Sequence, residues 1–241
     1  MLSKPFLLLP AVDISRGQAA RISQGNSSSE VAFGDPATVV SDFLEAGATW
    51  IHVVDLDQAF GTGDNQELIR DTISSFPQIN FQISGGICDE DSFGLAISSG
   101  ARRINISSLA SKNFDWLSSV FADTTSEICF ALDVKDGRVQ PRGSKEDLGD
   151  LNELLKFLAS TNCKHVSVTD VEKDGMLNGP NIELLEKVST ALGFPVISSG
   201  GIATLEDLER LLESESCSGA ILGKALYEKR FSLAQAIALV A

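Results

Sequence analysis

Five carboxylates stand where short apolar runs stop. Asp13 follows Phe6 to Val12, Asp55 closes Trp50 to Asp55, and Asp133 closes Glu127 to Asp133. Asp170 follows Lys164 to Thr169, and Asp174 lies just beyond it in Glu172-Lys173-Asp174-Gly175. Aspartates at such places usually cap turns or helices. Asp13 stands apart, because an unbroken apolar strand delivers it. Faced by Asp174 across a ligand, it would form an acid and base pair able to move a proton at carbon. A second pattern concerns glycine: Ser84-Gly85-Gly86-Ile87 recurs 115 residues later as Ser199-Gly200-Gly201-Ile202. Gly-Gly turns at strand ends can offer backbone N–H groups to a phosphate. Ser199, Gly200 and Gly201, with Gly223 and Lys224, are expected to form the stronger phosphate site; Gly85 and Gly86, with Ser107, form its counterpart in the first half. His52 and His165 lie inside apolar runs and read as packed structural residues. Cys88, Cys129, Cys163 and Cys217 are far apart, so neither a disulfide framework nor a metal site is expected.

These groups need elements to hold them. Eight strand candidates recur: Phe6 to Val12, Trp50 to Asp55, Ile79 to Ile83, Arg102 to Ile106, Glu127 to Asp133, Lys164 to Thr169, Phe194 to Ser198 and Gly219 to Leu222. Between them, segments such as Pro36 to Ala46, Glu90 to Ser98, Leu151 to Ala159, Ile182 to Ala191 and Leu205 to Leu212 repeat apolar residues three and four apart, as helices do. Strands without strict alternation suit a parallel sheet covered by helices, and eight β-α units predict a (β/α)8 TIM barrel of the α/β class. Asp13 and Asp133 lie 120 residues apart, so the barrel reads as two half-barrel repeats in one domain spanning residues 1–241. The 241 residues, 43% hydrophobic with 20 Gly, can bury such a core. A net charge of -14 has the wrong sign for nucleic acid or an anionic membrane. No run reaches the roughly 18 apolar residues of a membrane span, and no secretory leader is legible. A reducing cytoplasm is the expected compartment.

The motifs Leu8-Leu9-Pro10-Ala11-Val12-Asp13, Trp50-Ile51-His52-Val53-Val54-Asp55-Leu56-Asp57, Ser84-Gly85-Gly86-Ile87, Val168-Thr169-Asp170-Val171-Glu172-Lys173-Asp174-Gly175 and Gly223-Lys224-Ala225-Leu226-Tyr227 resemble the phosphoribosyl isomerases of histidine biosynthesis. The likeness is strongest to the actinobacterial phosphoribosyl isomerase A family, which also serves tryptophan biosynthesis, and it covers essentially the whole chain. It implies a monomeric, cofactor-free enzyme catalysing an Amadori rearrangement of an aminoaldose to an aminoketose on a small phosphoribosyl substrate. By the same resemblance Asp13 is the general base at C2′ and Asp174 the general acid at the furanose oxygen. Thr169, Asp133, Arg21 and Arg142 are substrate-binding or positioning groups.

Three departures bear on the substrate. Cys88 stands where the family has Arg, Ser107-Ser108 where it has Gly-Thr, and Arg142-Gly143-Ser144 where it has Arg-Gly-Trp. A missing aromatic contact costs about 1 kcal/mol, and a missing charged phosphate contact about 1.5 to 3 kcal/mol. Together they point to an enzyme narrowed to phosphoribosylanthranilate, which carries one phosphate, rather than the two-phosphate imidazole carboxamide of histidine biosynthesis; an enzyme serving both, or mainly the latter, is the alternative. The sister cyclase of that pathway shares the half-barrel repeat but not Lys173-Asp174-Gly175. A non-catalytic phosphoribosyl binder would have no need of both Asp13 and Asp174.

Overall fold

The structure, a computed structural model, describes residues 6–23, 26–122, 125–142 and 146–241, with the backbone alone for 21–23 and 26–30. In chain order the elements are β1 (Leu7–Ser15), β2 (Gln18–Ser23), β3 (Asn26–Gly34), α1 (Pro36–Glu45), β4 (Trp50–Asp55), α2 (Leu56–Phe60), α3 (Gln66–Ser75), β5 (Asn80–Ser84), α4 (Glu90–Ser98) and β6 (Arg103–Ser107). There follow α5 (Phe114–Ala122), β7 (Glu127–Lys135), β8 (Arg138–Val139), α6 (Leu151–Ala159), β9 (His165–Asp170), α7 (Ile182–Leu192), β10 (Val196–Ser199), α8 (Leu205–Glu213), β11 (Cys217–Leu222), α9 (Lys224–Tyr227) and α10 (Leu233–Val240). Strands β1, β4, β5, β6, β7, β9, β10 and β11 pair in parallel in that order, and β11 returns to β1. The sheet therefore closes on itself as an eight-stranded barrel wrapped in helices.

The strands sit where the apolar runs predict, with ends displaced by a few residues. Two additions escape that reading. β2 turns back antiparallel on β1 and continues into β3, while β8 turns back on β7. Both turns pass through two residues of positive φ, Arg16 and Gly17 in one and Asp136 and Gly137 in the other. That is the backbone of a tight hairpin whose twist matches the flanking strands. The two hairpins are related by the same 120-residue offset as Asp13 and Asp133. The half-barrel repeat thus extends into the loops above the barrel.

Period two along β1 divides its side chains. Leu7, Leu9 and Ala11 face inward and join Cys129, Ile197, Ile221 and Trp50 in an apolar cluster inside the barrel. Leu8, Val12 and Ile14 face outward into the larger core beneath the helices. Asp13 continues the inward row at the top. On the other side of the barrel the interior is polar and satisfied. Arg103 stacks 4.4 Å from the Trp50 ring centre, pairs with Glu127 at 3.0 Å and donates to Gln82 Oε1 at 3.3 Å. With its oxygen so engaged, Gln82 turns its amide nitrogen to His52 Nδ1 at 2.9 Å, which makes Nδ1 the acceptor and puts the imidazole proton on Nε2. Burial, helped by the Arg142 charge, lowers the His52 pKa from 6.5 to about 3.

The paired glycines have a packing function. A Cβ at Gly85 would run into the Asp55 carbonyl oxygen, and one at Gly86 would lie 2.6 Å from Gln58 O. In the second half, a Cβ at Gly200 would lie 2.9 Å from Asp174 Oδ1, and one at Gly201 2.5 Å from Gly179 O. The turn after one strand is pressed against the loop after its predecessor, and only glycine permits that approach. The neighbouring loops are tied down alike: Asp55 accepts from Asn65 N at 2.7 Å, and Asp170 from Asn181 Nδ2 at 2.6 Å.

Two outcomes follow for stability. Gly201→Ala is expected to cost about 2 to 4 kcal/mol, against about 1 kcal/mol for Gly17→Ala, which shares a φ near +75° but has nothing within 4 Å of its missing Cβ. Urea denaturation measures both, and equal losses would contradict the packing argument. For His52, the unfolded imidazole binds its proton near pH 6.5 while the folded one stays neutral down to about 3. Below pH 6.5 the unfolded state therefore holds more protons, and this group removes up to about 1.4 kcal/mol of stability per pH unit as pH falls toward 3. In NMR the His52 ring resonances should not move between pH 5 and 8; a titration near 6.5 would contradict the assignment.

Candidate active site

The C-terminal ends of the barrel strands open into a groove made of two joined cavities. The smaller, about 100 Å³, is lined by Asp13, His52, Arg142, Asp174, Ser199, Gly200, Gly201, Gly223 and Lys224, among others. The larger, about 380 Å³, is lined by Asp13, Phe60, Gly85, Gly86, Ser107, Asp133, Arg142, Glu146 and Asp174, among others, and is large enough for a small metabolite. Asp13, Val54, Arg142 and Asp174 belong to both walls. The groove thus has the two carboxylates at its middle and a glycine turn toward each end.

Arg142, reached through β8, organises the acids. Its Nε lies 3.2 Å from Asp133 Oδ1, its backbone N–H donates to Asp133 Oδ2 at 3.1 Å, and its Nη1 lies 3.5 Å from Asp174 Oδ2. Asp133, then Asp174 and Asp13, push the pKa of the guanidinium up, so it stays charged. Asp133 is held by this pairing as a largely buried support in the wall of the larger cavity. Asp174 is set by its own turn, whose N–H donates to Asp170 O at 3.0 Å, and by the glycine seam against Gly200. Asp55 and Asp170 are spent on loop and cap hydrogen bonds, as most strand-end aspartates are.

The predicted phosphate groups divide as follows. Ser199, Gly200, Gly201, Gly223 and Lys224 meet at one end of the groove, where the Lys224 ammonium donates to Gly175 O at 2.8 Å and so braces the loop that carries Asp174. Gly85, Gly86 and Ser107 meet at the other end. The Ser107 hydroxyl there accepts from Leu109 N at 3.3 Å, capping the 3-10 helix Ser108–Lys112. Cys88 packs against the helix-side core. Thr169 is buried in β9, in register with Asp133 on one side and Ser199 on the other. Arg21 lies in β2 opposite Val31, and its side chain falls outside the described residues, as does all of Ser144.

His52 has a place that sequence reasoning does not reach. It is packed and hydrogen-bonded as expected, yet it also lines the smaller cavity as a neutral imidazole. The available signal is its position two residues before Val54 in β4, which puts both on the inward face. Among the described residues no group of three His, Cys, Asp or Glu side chains is arranged to hold a metal, and no helix is long and apolar enough to cross a membrane.

Comparison with known proteins agrees with this geometry. Residues 7–232 match the family described as histidine biosynthesis protein. A protein of Nocardioides sp. named 1-(5-phosphoribosyl)-5-((5-phosphoribosylamino)methylideneamino) imidazole-4-carboxamide isomerase is 44% identical over 234 residues, covering 96% of each chain. One of the same name from Nocardia farcinica is 43% identical over 241 residues, covering 98% of this chain and 99% of its own. The phosphoribosyl isomerase A of Streptomyces griseus is 44% identical over 236 residues, covering 97% and 98%. The chain belongs to the histidine biosynthesis protein family and is an isomerase of it.

Proposed function

We propose that the protein catalyses the Amadori isomerisation of the two-phosphate imidazole carboxamide for which its relatives in Nocardioides and Nocardia are named. The observation that carries this reading is the groove itself, with Asp13 and Asp174 between two glycine turns that the barrel's two-fold repeat relates. A substrate with a phosphoribosyl group at either end fits that symmetry. This reverses the expectation of narrowing to phosphoribosylanthranilate, which rests on the departures at Cys88, Ser107-Ser108 and Ser144.

In the proposed mechanism Asp174 gives its proton to the furanose oxygen as the C1′–O bond breaks, leaving an open-chain protonated imine. Asp13 then takes the proton from C2′, and the C–H electron pair shifts to form an enolamine. That proton returns from Asp13 to C1′ while the C2′ hydroxyl gives up its own to Asp174, which yields the aminoketose and restores both carboxyl groups. Hydrogen is only relocated within the substrate, so the step needs no external oxidant. Asp133 acts through Arg142, which it holds at the groove, and the neutral His52 supplies a fixed polar group at the floor.

A second reading has support of its own. Ser107 adds a side chain where a phosphate would approach, Cys88 brings no cation, and a relative carries the name phosphoribosyl isomerase A. On that reading phosphoribosylanthranilate is also, or mainly, the substrate, with Arg142 pairing its carboxylate.

Steady-state kinetics on both compounds decides between them. The proposal predicts a kcat/KM for the two-phosphate substrate at least equal to that for phosphoribosylanthranilate; a preference of more than tenfold the other way would install the second reading. Asp13→Asn and Asp174→Asn are each expected to lower kcat by about 10²- to 10⁴-fold with folding intact, and near-normal turnover in either would refute the assigned pair.

A further inference from the structure

The two glycine turns are symmetric, but the charges beside them are not. At the second-half turn Lys224 stands in the cavity wall, with Glu228, just past the end of α9, at 3.5 Å. Its two-fold counterpart in the first half is Ser108, neutral and fully buried. A cation does follow there, Lys112 at the end of the 3-10 helix, but its ammonium lies 2.7 Å from Glu146 Oε1. Glu146, from the segment after β8, lines the same cavity as Gly85, Gly86 and Ser107. A carboxylate therefore borders the same cavity as the first-half turn and engages a cation that could balance a phosphate there.

Resting on the isomerase reading above, we propose that the Lys112–Glu146 ion pair is a latch beside the first-half glycine turn, which a dianionic group at that end of the substrate must open in order to bind. A phosphate carries nearly two negative charges at neutral pH and is repelled by a neighbouring carboxylate. The net charge of -14 adds a repulsive field, so a local cation matters more here than in a basic protein. The pair is about half exposed, 52% for Lys112 and 45% for Glu146, and exposed pairs are weak enough to open. Opening withdraws Glu146 and frees Lys112 for the phosphate. A ligand with one phosphate, seated at the second-half turn, leaves the latch closed.

The test is calorimetric binding in an Asp13→Asn background, using the aminoketose products of the two-phosphate and anthranilate compounds as probes. Adding Glu146→Gln is expected to tighten the two-phosphate product about five- to tenfold and to leave the single-phosphate product within twofold. Adding Lys112→Ala is expected to weaken the two-phosphate product by a similar factor. Unchanged affinities, equal shifts for both probes, or no two-phosphate binding with or without Glu146→Gln would overturn the latch. Because binding is read without turnover, failure of the enzyme to isomerise the two-phosphate compound refutes the proposed substrate, while the latch stands or falls on the measured affinities. Both residues are exposed, so the variants should retain the parent melting temperature.

Discussion

The place of Asp174 depends on the absence of a methyl group. The backbone of Gly200 comes so near the loop after β9 that any Cβ would press on the carboxylate and Cα of Asp174, while Gly201 meets the carbonyl of Gly179. This seam fixes the loop from one side, and Lys224 fixes it from another through Gly175 O. Because the contact is between backbones, it has little slack. A carboxylate on a surface loop is thereby held from two sides.

The same seam occurs in the first half between Gly85, Gly86 and the loop after β4, but there the loop ends in structural hydrogen bonds. Asp174 has Ala59 as its counterpart by the 115-residue offset. One half of a symmetric frame thus presents an acid and the other a small apolar residue. β1 and β7 do the reverse: both carry an aspartate, and Arg142 captures that of β7 as a support. The halves thus differ in the side chains they present over a shared barrel frame.

The barrel is legible in the sequence because its strands are buried on both faces, which leaves apolar runs that need no partner to be recognised. Asp13 is legible for the same reason. The β7–β8 hairpin is harder to see although Asp136-Gly137 is a strong signal for a tight turn, since the turn lies inside a β-α rhythm that leads to a helix. The glycine pairs stand out by their recurrence, but the packing that requires them does not: the lost Cβ makes room for a neighbouring loop, a tertiary fact no local pattern holds. His52 is hidden in the same way, because inward and outward faces acquire meaning only once the barrel closes. Substrate choice read from Cys88, Ser107 and Ser144 points away from the name carried by the Nocardioides and Nocardia relatives, since loss of single contacts does not reveal what the rest of a long groove supplies.

The central claim is that Asp13 and Asp174 work on opposite sides of a substrate spanning the groove. A crystal structure of the Asp13→Asn protein with the two-phosphate substrate tests it most directly. The account predicts one phosphate at Gly200 and Gly201 and the other at Gly85 and Gly86, with Asp174 within about 3 Å of the furanose oxygen and residue 13 facing C2′ from the other side. A ligand that leaves either side chain out of reach of the reacting atoms would contradict it.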